Sequence, residues 1–96
     1  MRVSIITRDK TVVVNGIAIS GISMDTLPSN VHAIQWYGDV GEVEIADPQS
    51  GKMVGNEPVS SVSYFQSVLD IWNTKKAEID AAAAEAAIDD YIIQEI

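Results

Sequence analysis

The feature that most constrains the fold is a C-terminal segment, residues 60–96, that contains neither Gly nor Pro. Its central part, residues 81–87, reads AAAAEAA, and alanine has the highest helix propensity of all residues. A helix of this length would reach roughly 50 Å at 1.5 Å per residue, which exceeds the small domain that could hold it. The sequence therefore predicts a projecting helix whose far part needs solvent, a second copy or a partner.

The remaining composition limits what kind of protein this is. A chain of 96 residues suits one domain, and so short a chain cannot easily build a deep, water-excluding cleft. The net charge of −8 repels phosphate backbones and anionic lipid, so we expect no direct nucleic-acid ligand. The chain has no Cys, no signal-peptide pattern and no run of eighteen apolar residues, which predicts a protein made in the cytoplasm and not inserted in a membrane.

The N-terminal half carries the alternating patterns and turn signals of short β-strands. Residues 3–7 and 11–14 form a first predicted hairpin around a polar turn. Asn15-Gly16 is the strongest local signal, because a type I′ turn needs positive φ at both central positions. Residues 17–20 should then return antiparallel to the second strand.

Three further strands are predicted after a loop at 21–30, which has room for one helical turn at 23–27. The first is 31–37, and the second is 42–46, where Val43 and Ile45 alternate with outward-facing Glu42 and Glu44. A turn at 47–51 leads into a short strand at 52–54, and the sequence at 56–59 predicts a break in the sheet.

The helix should begin after Ser60 or Ser61, whose hydroxyl can cap it. Apolar residues at spacings of three and four then form a stripe that should lie on the sheet: Val62, Phe65, Val68, Leu69 and Trp72. The predicted fold is α+β, with an antiparallel β-meander of five or six short strands at 1–58 and one long α-helix at 59–96, in a single domain.

The end of the helix is the predicted partner-binding site, because it combines bulky apolar residues with acidic neighbours that oppose the helix dipole. A contact outside the domain would bury its apolar members, which are Ile88, Tyr91, Ile92 and Ile96. The alanine run before them has two interpretations, a solvated spacer helix and a surface for close helix packing. A homo-oligomer through this helix is one form that the contact could take.

Trp36 and Tyr37 also have two interpretations. Together they could form an exposed aromatic platform, and Tyr37 is included among the partner-binding residues. Alternatively, Trp36 packs under the helix against Phe65 or Trp72, which is favoured because so small a core needs its large side chains.

No catalytic, cofactor or metal constellation is present in the sequence. The single histidine, His32, has no neighbouring Cys, and no Ser lies in a Gly-x-Ser-x-Gly elbow. The turn at 38–41 lacks the Lys and following helix of a phosphate-binding loop. We therefore expect a binding protein without cofactor rather than an enzyme.

Several strings of the sequence resemble a group of small tailed-bacteriophage proteins encoded among tail-fibre genes. They are VSII at 3–6, VVVNG at 12–16, LPSNVHAIQWY at 27–37 and GEVE at 41–44, of which the third is the most specific. The segment from Phe65 through Trp72 to Lys76 also resembles the Trp-bearing helix of tail-fibre assembly proteins. The likeness covers residues 1–76 and brings no catalytic residues with it.

This resemblance implies a tail-fibre assembly chaperone or a small structural virion subunit, whose partner is another phage tail or tail-fibre protein. It would act in the host cytoplasm during assembly or remain in the virion tail. The acidity and small size leave an alternative, a phage-encoded inhibitor whose carboxylates imitate nucleic acid and block a host nucleic-acid-binding protein.

Overall fold

Six β-strands and one long helix follow one another along the chain. The computed structural model describes the backbone to Glu95 and the side chains to Ala84. The elements are β1 (Val3–Ile6), β2 (Thr11–Val14), β3 (Ile17–Ile19), β4 (Val31–Trp36), β5 (Gly41–Ala46), β6 (Met53–Val59), a short 3-10 helix (Val62–Phe65) and α1 (Gln66–Glu95).

The strands form one antiparallel sheet in the order β3-β2-β1-β4-β5-β6. Strand β1 is central, and its Val3 lies opposite Val14 of β2 on one side and Trp36 of β4 on the other. The sheet therefore consists of two three-stranded meanders joined through the β1–β4 pair. The predicted α+β class, with six strands and a C-terminal helix, is confirmed.

The β2–β3 turn has the geometry that its sequence predicts. Asn15 and Gly16 both adopt positive φ, at 49° and 84°. The Asn15 side-chain oxygen also accepts a hydrogen bond from the backbone N–H of Arg2 at 2.9 Å, which ties the turn to the start of β1. The type I′ turn thus fixes the register in which Val14 faces Ile17.

The connection from β3 to β4 contributes to the core. Its Ile22 and Leu27 side chains are buried. The backbone N–H of Ile22 donates to the Lys10 carbonyl at 3.0 Å, and that of Leu27 donates to Met24 at 3.0 Å. The bond between Leu27 and Met24 closes a single turn. Residues 23–27 do not form the helical turn that the sequence allowed there.

The last strand is longer than its sequence pattern predicts. Residues 56–59 continue β6 instead of breaking the sheet, and Pro58 pairs with Glu42. Proline is tolerated here because β6 is an edge strand, where one N–H is not needed by the ladder. The pairing of β5 with β6 shifts register between Ile45 and Ala46, and Val54 is the unpaired residue of the resulting β-bulge. The Val54 side chain is 70% exposed.

The helical segment begins at Ser61, as predicted. The Ser61 hydroxyl accepts a hydrogen bond from the Ser63 N–H at 3.2 Å and caps the 3-10 helix. Four members of the predicted apolar stripe are then buried, and they are Phe65, Val68, Leu69 and Trp72. The stripe lies on the sheet and forms its core with the inward-facing strand residues.

Trp36 belongs to this core and not to an exposed platform. Its side chain is 3% exposed, and its ring meets that of Phe65 edge-on with 5.8 Å between the ring centroids. The indole N–H finds no acceptor within residues 1–84, a cost of about 1–3 kcal/mol. Burial of the large indole ring contributes a favourable free energy of about the same size. The unpaired N–H can therefore be accommodated in the core.

Candidate protein-binding surfaces

The described part of the chain contains no group of three or more His, Asp or Glu side chains that could hold a metal ion. Within residues 1–84 every buried residue is apolar. Among the described side chains, the carboxyl with a shifted pKa is that of Asp47, whose pKa is lowered from 3.8 by a hydrogen bond from the Gln49 backbone N–H and by others from Ser50. This arrangement stabilises a turn and provides no pair of groups for acid–base chemistry.

Helix α1 crosses the sheet and leaves it at the β3 edge. It contacts β2 and β3, and the Trp72 indole N–H donates to the Ile17 carbonyl oxygen of β3 at 3.2 Å. No strand lies beyond β3 in the sheet order, yet α1 continues to Glu95. The 23 residues after Trp72 correspond to about 35 Å of helix. This part of α1, residues 73–95, is called the overhang below.

The overhang carries the line of the buried stripe away from the sheet. Spacings of three and four from Trp72 lead to Lys75 and Lys76, then to Ile79, then to Ala82 and Ala83. Ile79 occupies the position that an apolar core residue would have, but it is 54% exposed. The helical spacing of the stripe therefore continues past Trp72. Its positions become exposed to solvent beyond the edge of the sheet.

Charges on the overhang are distributed unequally along its length. Its only basic residues, Lys75 and Lys76, lie at the end next to the sheet, and its acidic residues all follow them: Glu78, Asp80, Glu85, Asp89, Asp90 and Glu95. Lys76 is paired with Asp80 one turn on, at 2.6 Å from Nζ to the carboxylate oxygen. Lys75 forms no ion pair among residues 1–84.

The predicted partner-binding residues Ile88, Tyr91, Ile92 and Ile96 lie outside the described side chains. Their assignment stays a prediction from the sequence. Tyr37, the fifth of these residues, follows the last residue of β4 in the turn into β5.

Tyr37 is the centre of a second exposed apolar surface, the Tyr37 patch, which consists of Met1, Arg2, Tyr37 and Val40. The Tyr37 side chain is 49% exposed, with Met1 and Val40 exposed to similar degrees. The Arg2 guanidinium lies 4.9 Å from the centroid of the tyrosine ring, in cation–π geometry. This contact holds the ring in place at the surface and leaves part of it free for a partner.

A shallow groove of about 340 Å³ adjoins the Tyr37 patch. Beyond Tyr37 and Val40, its lining comes from β5 and β6 and includes the carboxylates of Glu42 and Glu57. The groove and the patch together present an aromatic ring beside negative charge. Sequence reasoning identified Tyr37 but missed Met1 and Arg2, which the pairing of β1 with β4 brings to this end of the sheet.

The two edges of the sheet are poor sites for strand addition. Strand β3 has three residues, and the Trp72 side chain covers its first carbonyl. Strand β6 carries Pro58, which has no N–H, and the bulge at Val54. Short strands, proline and bulges are the devices that prevent edge-to-edge pairing. Among the described residues, the overhang and the Tyr37 patch are two exposed apolar surfaces that remain for a partner.

Comparisons of this chain with protein-family models, with curated proteins and with solved structures gave no match. None of the described helical residues forms a stretch long and apolar enough to cross a membrane. The fold and surfaces described above are those of a small α+β protein with an extended helix and exposed apolar surfaces that include the overhang and the Tyr37 patch.

Proposed function

We propose that this chain is a tail protein of a tailed bacteriophage that acts by binding another tail or tail-fibre protein. It would serve as an assembly chaperone for the fibre or as a small structural subunit of the virion. The proposal combines the resemblance of residues 1–76 to proteins encoded among tail-fibre genes with the geometry of the helix. A chaperone would act in the host cytoplasm, and a subunit would remain in the virion tail.

The observation that supports binding most directly is the exposed position of Ile79 on the overhang. A stripe that is buried through Trp72 continues for several turns without a sheet beneath it. Exposed apolar surface of this kind is typical of docking surfaces for other proteins. The net charge of −8 further favours a partner with basic and apolar surface over nucleic acid.

Co-purification during infection tests the proposal. A tagged copy is recovered from lysate, its partners are identified by mass spectrometry, and purified mature virions are analysed in parallel. Recovery with a fibre protein, together with absence from virions, supports the chaperone role. Stoichiometric presence in virions supports the structural role. Recovery with a basic host protein alone would contradict both and favour the acidic inhibitor.

A truncated chain sharpens this experiment. Removal of residues 88–96 deletes the four predicted partner-binding residues of the helix and leaves both Tyr37 and the buried stripe through Trp72 intact. We expect the truncated chain to fold and to lose its tail partner. An unchanged set of recovered proteins would show that the end of the helix is not the binding site.

A further inference from the structure

The groove beside Tyr37 lies on the face of the sheet opposite the core. Trp36 and Val43 belong to the core cluster. Since successive side chains of a strand alternate between its two faces, the neighbouring Tyr37 and Glu42 lie on the other face. The Tyr37 N–H donates to the Val40 carbonyl oxygen at 2.8 Å, so the β4–β5 ladder continues to this pair and places Val40 beside Tyr37. The groove therefore opens on the outer face of the sheet.

The Tyr37 ring already holds one cation, on the side away from the groove. The Arg2 guanidinium lies 4.9 Å from the centroid of the ring. Arg2 precedes β1, whereas the groove is lined from β5 and β6, and β4 lies between β1 and β5 in the sheet order. Arg2 thus occupies the β1 side of the ring, and the β5 side borders the groove.

Two carboxylates line the groove without a cation to balance them. They are those of Glu42 and Glu57, both exposed. The ion pair found among residues 1–84 joins Lys76 to Asp80, so neither groove carboxylate takes part in one there. Glu42 accepts a long hydrogen bond, 3.4 Å from the Asn56 side-chain nitrogen to its carboxylate oxygen. The groove carboxylates are therefore accessible to a donor from outside the chain.

We propose that this groove receives an arginine side chain of a partner protein, with its guanidinium between the Glu42 carboxylate and the Tyr37 ring. A planar guanidinium can bond its edge to a carboxylate and stack its face on a ring, which the ammonium of lysine cannot do. Val40 and Pro58 supply apolar lining, against which the methylene stem of the arginine packs. The proposal deepens the proposed binding function, on which it rests, by naming the chemistry of one contact.

The size and charge of the groove favour a protein over other ligands. Its volume of about 340 Å³ is near the lower limit of ligand pockets, about 300 Å³, and the groove is shallow, so a small molecule would stay largely in water. The net charge of −8 repels nucleic acid. One arginine held on a larger partner does not need an enclosed pocket, and arginine is among the residues enriched at the centres of protein interfaces.

Titration of the nitrogen-15-labelled full chain with a short arginine peptide, followed by nuclear magnetic resonance, tests the proposal. The probe is acetyl-Gly-Leu-Arg-Leu-Gly-amide, and two control peptides carry lysine or citrulline, a neutral analogue of similar shape, in place of arginine. We expect saturable shifts at the backbone amides of Tyr37, Val40 and Glu42. The dissociation constant should be at least about threefold lower for the arginine peptide than for the citrulline peptide, and also lower than for the lysine peptide.

Two results of this titration would overturn the proposal. Equal affinity for the citrulline peptide would show that charge takes no part in the contact, and equal affinity for the lysine peptide would remove the assignment to arginine. Shifts at residues away from the groove would place the peptide elsewhere. All of these comparisons use the wild-type chain and do not depend on the folding of a variant.

A pair of matched variants tests the carboxylate. Glu42→Gln keeps the shape of the side chain and removes its charge, and it should raise the dissociation constant of the arginine peptide at least about threefold. Glu44→Gln is the control, because Glu44 lies on the same face of β5 but does not line the groove. It should change the constant by less than about 1.5-fold. Thermal midpoints control for folding, and equal effects of the two variants would contradict the role of Glu42.

A third variant tests the ring. Tyr37→Leu keeps an apolar side chain and removes the aromatic face, so the preference for the arginine peptide over the lysine peptide should disappear. An unchanged preference would overturn the placement of the guanidinium on the ring.

The peptide titration uses no phage protein, so its outcome is separate from that of the co-purification experiment. A chain that recovers a tail partner but does not bind the arginine peptide would retain the proposed function and lose the arginine groove. A chain that binds the peptide as expected but recovers no tail protein would lose the proposed function and retain the groove.

Discussion

The indole N–H of Trp72 donates to the carbonyl oxygen of Ile17, at 3.2 Å, and so connects the last buried turn of α1 to the edge strand β3. The tryptophan is 7% exposed, and its ring is part of the core cluster. It therefore has two roles, since it fills space over β2 and β3 and determines where the helix leaves the sheet.

Replacement of Trp72 should separate these two roles. Trp72→Phe retains an aromatic ring but removes the donor, and we expect a loss of about 1–2 kcal/mol in the free energy of unfolding. Trp72→Ala should cost about 3–5 kcal/mol because it also leaves a cavity. Urea denaturation measures both. Tyr64→Phe, on an exposed side chain of the same segment, is the control and should change stability by less than about 0.5 kcal/mol.

Gly41 is required by the close approach of β5 to β4. It pairs with Trp36, and a Cβ at this position would lie 2.3 Å from the backbone carbonyl oxygen of Gln35. Gly41→Ala should therefore destabilise the protein by about 1–3 kcal/mol, since backbone has to move to relieve the clash. The neighbouring Val40→Ala change, at an exposed side chain, should be close to neutral. Equal thermal midpoints for the two variants would contradict this packing.

Asp47 should contribute to the pH dependence of stability. Its pKa in the folded state lies below 3.8, chiefly because the ionised carboxylate accepts the Gln49 N–H. The group therefore stabilises the fold above its unfolded pKa, and this contribution is lost as the pH falls through the folded value. Below about pH 4 the Asp47 carboxylate becomes protonated, whereas the amide of an Asp47→Asn variant does not titrate. The free energy of unfolding of the wild type should therefore fall relative to that of the variant as the pH is lowered through this range. Asp39→Asn, at a side chain without hydrogen bonds within residues 1–84, is the control.

Tyr37 should matter for binding and not for folding. If the Tyr37 patch contacts the tail partner, Tyr37→Ala should weaken binding about tenfold or more, as is common for aromatic residues at interfaces. Tyr64→Ala provides a matched control, because Tyr64 is 42% exposed against 49% for Tyr37. Titration of each variant with the recovered partner measures the difference. Equal affinities would remove the patch from the binding site.

Local patterns in the sequence were sufficient for most of the elements. The Asn15-Gly16 turn, the alternation around Val43 and the Ser61 cap each depend on residues that are neighbours in sequence, and each is present in the structure. The spacing of the apolar residues alone was sufficient to predict the burial of Phe65, Val68, Leu69 and Trp72. The exposure of Ile79 also follows, because a helix without breakers outgrows a sheet of six short strands.

The pairing of distant strands could not be predicted in the same way. Nothing local indicates that β4 lies beside β1, which joins the two meanders and brings Arg2 to the Tyr37 ring. The continuation of β6 through Pro58 was missed because proline is usually a strand breaker, and its tolerance depends on an edge position that sequence does not reveal. The Tyr37 patch depends on these pairings, so only its central residue could be predicted.

The protected edges of the sheet determine what kind of assembly this protein can enter. With Pro58 and the bulge at one edge and the three-residue β3 at the other, copies cannot add to one another strand by strand. Growth by strand addition has no natural end and leads to fibres. A concentrated solution of the folded protein should therefore not convert into fibres by strand addition.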